Sequence, residues 1–202
     1  MRRLIFLISI FALALYACGE PAPVFRNTEI TGAEFGRSLT GMKDQRGEAA
    51  TLATYKGQAL VVFFGYTSCP DVCPTTLARL AEVMKALGKD ASRVQVILVT
   101  LDPERDTAER LAAYVTAFDR SFIGVYGDEA ATAATAREFK VFYSKTGGGG
   151  HHHHGHDEGD YTIDHSAGIY VFDPEGRIRL YVKDDAPVDS IASDLRLLLA
   201  GK

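Results

Sequence analysis

Two cysteines, Cys69 and Cys73, close the stretch Phe63-Phe64-Gly65-Tyr66-Thr67-Ser68-Cys69-Pro70-Asp71-Val72-Cys73-Pro74, where an apolar run gives way to a C-x-x-x-C pair flanked by prolines. Paired thiols at the tip of a strand can cycle with a disulfide or hold a soft metal ion as thiolates. A plain stabilising disulfide is the third use, and it gains little here because so short a loop removes little entropy from the unfolded chain. Residues four apart share a face once the segment coils, and Pro74 falls where the first turn of a helix tolerates a missing N–H. The spacing predicts a helix from Pro74 with Cys73 as its cap. Backbone N–H groups and the dipole at that end favour an anion, so at least one thiol should have a lowered pKa and be partly thiolate.

The histidines divide into two groups. His151, His152, His153, His154 and His156 fall in the tract from Thr146 to Asp160, which contains four consecutive glycines, three carboxylates and no apolar residue. The tract reads as a flexible surface loop, and neutral imidazoles on such a loop bind Cu(II), Zn(II) or Ni(II) with modest selectivity. The competing reading is a low-complexity insertion without a role, or a cloning scar. His165 stands apart, in Asp160-Tyr161-Thr162-Ile163-Asp164-His165-Ser166, just before an apolar run. A solitary histidine near a strand is often structural. With Cys69 and Cys73, however, it would complete a set of two sulfurs and one nitrogen, which suits copper.

The elements that must position these groups follow from apolar runs alternating with amphipathic stretches. Ala59 to Gly65 reads as a buried strand, Pro74 to Leu87 as a helix, Arg93 to Leu101 as a second buried strand and Thr107 to Phe118 as a helix. Phe122 to Tyr126 reads as a strand, and Asp128 to Phe139 as a helix opened by an acidic cap. Gly168 to Phe172 and Arg177 to Val182 are strands joined by the turn Asp173-Pro174-Glu175-Gly176, and Val188 to Leu199 is a closing helix. The β-α alternation predicts a largely parallel core, and the final hairpin makes the sheet mixed. This is the element order of a thioredoxin-like α/β fold, with a central mixed sheet flanked by helices and cysteines at the first long helix. In that layout His165 lies at a sheet edge beside the cysteine loop.

Arg2 and Arg3 precede an apolar or small-residue run from Leu4 to Ala17, followed by Cys18. The run is an export signal too short for a comfortable membrane span, and Leu15-Tyr16-Ala17-Cys18 resembles the lipobox of bacterial lipoproteins, in which the cysteine is acylated. An uncleaved N-terminal anchor is the competing reading, since Tyr16 is bulky for that position. Either way residues 1–17 deliver the chain to the membrane, 18–34 form a tether, and 35–202 form one domain carrying the loop at 146–160. The setting is the bacterial cell envelope, with the domain facing the periplasm. If Cys18 carries lipid, Cys69 and Cys73 are the remaining pair in an oxidising compartment. Losing Arg2 and Arg3 takes two positive charges from a formal net charge of −4, leaving −6, so nucleic acid is excluded as a partner.

Three segments together resemble a known family. Gly65 to Pro74, then Val99-Thr100-Leu101-Asp102-Pro103-Glu104-Arg105-Asp106-Thr107, then Asp160 to Ser166 are similar, in order, to the signature segments of the Sco/SenC proteins. These are thioredoxin-like copper chaperones that help assemble the binuclear copper site of cytochrome c oxidase. The resemblance spans Phe35 to Leu199. It implies that Cys69, Cys73 and His165 ligate copper, with Asp71 and Asp102 close behind them. It also implies that the partners are a copper-accepting oxidase subunit and a thiol reductant or copper-donating protein. Two thiolates and an imidazole accept both Cu(I) and Cu(II), and ligation requires a reduced pair, so copper delivery and reduction of a partner's thiols are linked. The alternative is a metal-independent thiol-disulfide oxidoreductase using Cys69 and Cys73 as a catalytic redox pair. Three intervening residues, where ordinary redoxins have two, speak against that. A further alternative is a metal buffer whose whole function lies in the histidine tract.

Overall fold

The computed structural model describes residues 24–147 and 161–202. In chain order the elements are strands β1 (Thr28–Glu29), β2 (Lys43–Asp44) and β3 (Ala59–Gly65), helix α1 (Val72–Leu87), β4 (Val94–Thr100), helix α2 (Ala108–Thr116), β5 (Ile123–Tyr126) and helix α3 (Glu129–Glu138). The ribbon strands β6 (Tyr143–Thr146) and β7 (Thr162–His165) follow, then β8 (Ile169–Phe172), β9 (Ile178–Val182) and helix α4 (Val188–Leu199). Seven strands form one sheet in the order β1-β9-β8-β3-β4-β5-β2, and β6 pairs with β7 in a separate ribbon. β3, β4 and β5 run parallel, while β8 and β9 are antiparallel to their neighbours, so the sheet is mixed as expected.

Every residue of β3 is buried, which explains its unbroken run Ala-Leu-Val-Val-Phe-Phe-Gly: a central strand covered on both faces has no polar side to alternate with. α1 packs along α4, and α2 lies against β5. α3 starts at the acidic cap the sequence predicts, Asp128 accepting the Ala131 N–H at 2.7 Å. The β8–β9 turn forms over Asp173 to Gly176, with Gly176 at φ +80° and the buried Asp173 carboxylate accepting the amides of Glu175 and Arg177. Among the described residues, no helix is long and apolar enough to cross a membrane.

Three local expectations need correction. α1 begins at Val72, with Asp71 as its N-cap residue, so Cys73 lies inside the first turn instead of capping it. Pro74 still fits, because first-turn N–H groups have no intrahelical acceptor anyway. The sheet edge that carries His165 belongs to the separate ribbon and not to the main sheet: the residue ends β7, opposite Tyr143 of β6. Finally, much of the segment read as a tether is folded. β1 pairs with β9, Phe25, Ile30 and Ala33 pack on the core, and the buried Asp194 carboxylate of α4 accepts the backbone N–H groups of Arg26 and Asn27. Short strands held by backbone pairing carry little apolar periodicity, so β1, β2, β6 and β7 leave no pattern in the sequence.

Candidate metal centre

β3 ends at Gly65, and the chain turns through Tyr66, Thr67 and Ser68 to reach Cys69. Buried Asp106 holds this turn: it accepts the Thr67 N–H at 3.0 Å, the Thr67 hydroxyl at 2.5 Å and the Thr100 hydroxyl at 2.6 Å. Burial pushes the Asp106 pKa up, while these donors pull it back. The Leu101 N–H to Gly65 carbonyl bond (2.8 Å) and the Arg110 guanidinium on Ser68 Oγ (2.7 Å) complete the anchorage. The turn carrying Cys69 is therefore fixed to the ends of β3 and β4 and to α2. Cys73 follows from the helix and is fully buried, whereas Cys69 is partly exposed; both are free thiols.

His165 reaches the pair from the ribbon. Its Nδ1 lies 3.0 Å from the Ser166 carbonyl, and a carbonyl only accepts, so Nδ1 donates there and Nε2 is the ring nitrogen turned toward the sulfurs. Nε2 faces Cys73 Sγ at 3.6 Å. The ring stands edge-on to Phe63 and Tyr66, with centroids 6.2 Å away in both cases. The buried Tyr66 hydroxyl accepts the Ile163 N–H at 3.0 Å, tying the strand that bears His165 to the cysteine turn. The two sulfurs and the imidazole nitrogen all lie within 4.8 Å of one another, a group able to hold a metal ion. A cleft of about 450 Å³, lined by Cys69, Pro70, Asp71, Ile163 and His165, opens it to solvent.

The two thiols differ in character. The Cys73 thiol donates to Cys69 and, together with His165 and the backbone N–H groups of Asp71 and Cys73, holds Cys69 down to about 3 against the opposing effect of burial. Cys73 moves far the other way, because it is the donor in that pair and is buried. The site thus rests as one thiolate beside one thiol, and binding a metal at both sulfurs releases the Cys73 proton.

Of the other residues singled out in the sequence, Asp71 lines the cleft and touches the site through its backbone N–H at Cys69. Asp102 is fully buried and engaged elsewhere: Arg105 Nε donates to it, and so does the Tyr161 hydroxyl at 2.6 Å. The Arg105 guanidinium lies 3.6 Å from the Tyr161 ring centroid and donates to the Tyr161 carbonyl at 3.0 Å. Asp102 therefore supports β7 from its leading end rather than supporting the sulfurs. Cys18 and the histidines at 151–154 and 156 lie outside the described residues. Asp106, Tyr66, Arg105 and Tyr161 supply this anchoring, and each stands inside one of the three signature segments. A polar residue after a strand ordinarily reads as exposed loop, and only the three-dimensional arrangement reveals it as a buried anchor.

A thioredoxin-like sheet with two thiols and an imidazole converging at the end of β3 defines a class of metal-holding α/β proteins. The chain belongs within it to the SCO1/SenC family, whose model matches residues 28–200. It is 31% identical over 191 residues to the mitochondrial protein SCO2 homolog of Bos taurus, covering 93% of this chain and 69% of that one. Among solved structures it resembles Bradyrhizobium japonicum ScoI with copper bound, at 37% identity and a TM-score of 0.69, over 84% of this chain and 99% of that one. It also resembles apo Sco1 of Thermus thermophilus, at 34% identity and a TM-score of 0.73, over 89% and 100%.

Proposed function

We propose that this chain is a copper chaperone that carries one copper ion on Cys69 Sγ, Cys73 Sγ and His165 Nε2 and passes it to the copper-accepting subunit of cytochrome c oxidase. The observation that carries the reading is the convergence of the three donor atoms, with Nε2 turned toward the sulfurs while Nδ1 is engaged by the Ser166 carbonyl. The copper-bound state of the Bradyrhizobium relative supports the choice of metal. Thiolates favour Cu(I), the imidazole adds tolerance for Cu(II), and a set of three donors leaves the ion open to an incoming ligand. Cys69, partly exposed and ionised, meets the metal first; Cys73 then gives up its proton and closes the site. His165 is held by Ser166 and by the two aromatic edges, so the ring need not reorganise to bind.

The same pair suits a linked reduction of the acceptor. The Cys69 thiolate attacks one sulfur of a partner disulfide and expels one partner thiolate, forming a mixed disulfide. Cys73 loses its proton, and its sulfur displaces the second partner sulfur, leaving the partner reduced and a Cys69–Cys73 disulfide. Residues 1–17 serve as export signal or anchor, Cys18 as lipid attachment and the segment ahead of Phe25 as tether, placing the domain at the outer face of a bacterial inner membrane. Confinement there raises its effective concentration near the oxidase. The histidine tract serves as an accessory copper-collecting segment.

The test is oxidase maturation in cells lacking this chain. Wild type should restore oxidase copper content and activity, Cys69→Ser, Cys73→Ser and His165→Ala should not, and deletion of residues 148–160 should restore most of it. Full restoration by the cysteine variants would overturn the reading.

A further inference from the structure

Phe142 is a large aromatic residue left 80% exposed, and it is not at a frayed end. Ser166 grips its backbone from both sides: the Phe142 N–H donates to Ser166 Oγ at 3.3 Å, and the Ser166 N–H donates to the Phe142 carbonyl at 3.0 Å. Ser166 is also the residue whose carbonyl fixes the His165 ring. The exposed ring is thus displayed from the same rigid backbone that presents the metal-facing imidazole. A single exposed ring is ordinary by itself, but one held on an ordered frame beside clefts that lead to the metal-facing groups is placed to act as an interface anchor.

Phe142 forms a wall common to two clefts. One, of about 530 Å³, runs between Tyr143, Asp164 and His165, and Asp164 and His165 also line the cleft that opens onto Cys69. The other, of about 520 Å³, is floored by Ala136 and Val141 and edged by the exposed cations Arg137 and Lys140. Lys140 sits just beyond α3 at φ +55°, the one described non-glycine residue in the left-handed region. Glycine would fill that position with less strain, yet a cation stands there. In a chain of formal charge −4, Arg137 and Lys140 form a local positive rim, and neither makes an ion pair among the described residues.

We propose that this face, Phe142 with Arg137 and Lys140, docks the copper-accepting protein, which presents an apolar side chain flanked by carboxylates beside its own metal-binding thiols. The proposal rests on the copper-delivery reading above. A metal passes between proteins only when the acceptor's ligands reach coordinating distance of the donor's. Cys73 is buried, so the acceptor must enter past His165 and Cys69, along the clefts that Phe142 continues. The apolar cleft takes the acceptor's anchor, and the cationic rim selects an acidic surface and steers its approach.

The test uses the full chain loaded with copper and, as probe, the reduced apo copper-binding domain of the oxidase subunit, with transfer followed by stopped-flow absorbance. Phe142→Asp should slow transfer or weaken association on the order of tenfold or more, as for a central aromatic anchor. The copper spectrum of the variant before mixing should match that of wild type. The pair Arg137→Glu with Lys140→Glu should reduce the association rate several-fold and flatten its dependence on salt. Wild-type transfer by both variants overturns the docking proposal and leaves copper delivery standing. Phe142-dependent self-association of the chain with unchanged transfer also overturns it, assigning the face to a second copy. A wild-type chain that delivers no copper to the domain overturns the delivery reading itself, and docking with it.

Discussion

Replacing Gly65 by alanine puts a methyl group where Cys73 keeps its sulfur. A Cβ on Gly65 would lie 2.7 Å from Cys73 Sγ and 3.2 Å from both Leu98 Cδ1 and Phe63 Cε1. Gly65 is paired with Thr100 across the parallel β3–β4 ladder, and β3 is buried throughout, so the backbone has little room to yield. Non-bonded heavy atoms settle at about 3.5–4.0 Å, so the sulfur must retreat by roughly 1 Å. Metal–ligand distances hold to within about 0.2 Å, and such a retreat takes Cys73 out of the coordination shared with Cys69 and His165. The fold survives, since overpacking by one methyl costs about 1–3 kcal/mol, with about 2–4 °C of midpoint lost per kcal/mol in a chain of this size. The assay is Cu(II) titration of the reduced chain, read by sulfur-to-copper charge transfer, alongside thermal unfolding. The account expects a midpoint lowered by several degrees, an altered or missing charge-transfer band, and copper affinity weakened on the order of tenfold or more. A folded Gly65→Ala chain with the wild-type band and affinity would refute the placement of the Cys73 sulfur against β3.

Three other perturbations probe the site from different sides. Alkylation of the reduced, copper-free chain should proceed at Cys69 with a rate nearly flat from pH 5 to 8, because a thiol held down to about 3 is already ionised there. A rate that instead climbs toward the ordinary thiol pKa of about 8.5 would contradict the Cys73 and His165 hydrogen bonds to it. Tyr66→Phe removes the acceptor of the Ile163 N–H and should cost about 1–3 kcal/mol; hydrogen exchange of the β7 amides should accelerate, and unchanged protection would count against this tie. Arg105→Ala leaves the buried Asp102 carboxylate without its guanidinium, so urea unfolding should show a loss of about 3–5 kcal/mol. A loss below about 1 kcal/mol, the range of an exposed ion pair, would show that this pair does not hold the leading end of β7.

The central strands and helices are legible in the sequence because burial on both faces writes long apolar runs such as Ala59 to Gly65 and Val94 to Thr100. The Asp128 cap and the Asp173–Gly176 turn are legible because their chemistry is local. The Cys69–Cys73 spacing gives the thiol pair and its place ahead of a helix. It misplaces the helix start by two residues, since Asp71 makes no side-chain cap bond and leaves no capping signature. His165 stands out in the sequence, but the ribbon that carries it does not: β6 and β7 are short and mostly polar, and they pair through backbone groups and the Tyr143–His165 register. The anchors around the site are the least legible part. Asp106 and Asp102 occupy one loop and look alike in sequence. Yet one fixes the cysteine turn through Thr67 and Thr100, while the other fixes Tyr161 through Arg105 and its own bond to the phenol. That division of labour depends on contacts between residues as many as 59 positions apart.

The measurement that bears most directly on the central claim is copper titration of the reduced full chain, with optical and electron paramagnetic resonance spectra compared across Cys69→Ser, Cys73→Ser, His165→Ala and a chain lacking residues 148–160. The account predicts one Cu(II) with sulfur-to-copper charge transfer, abolished or shifted by each of the three substitutions and retained when the histidine tract is removed. Copper binding that disappears with the tract and persists in all three point variants would contradict it and leave Cys69 and Cys73 as a redox pair only.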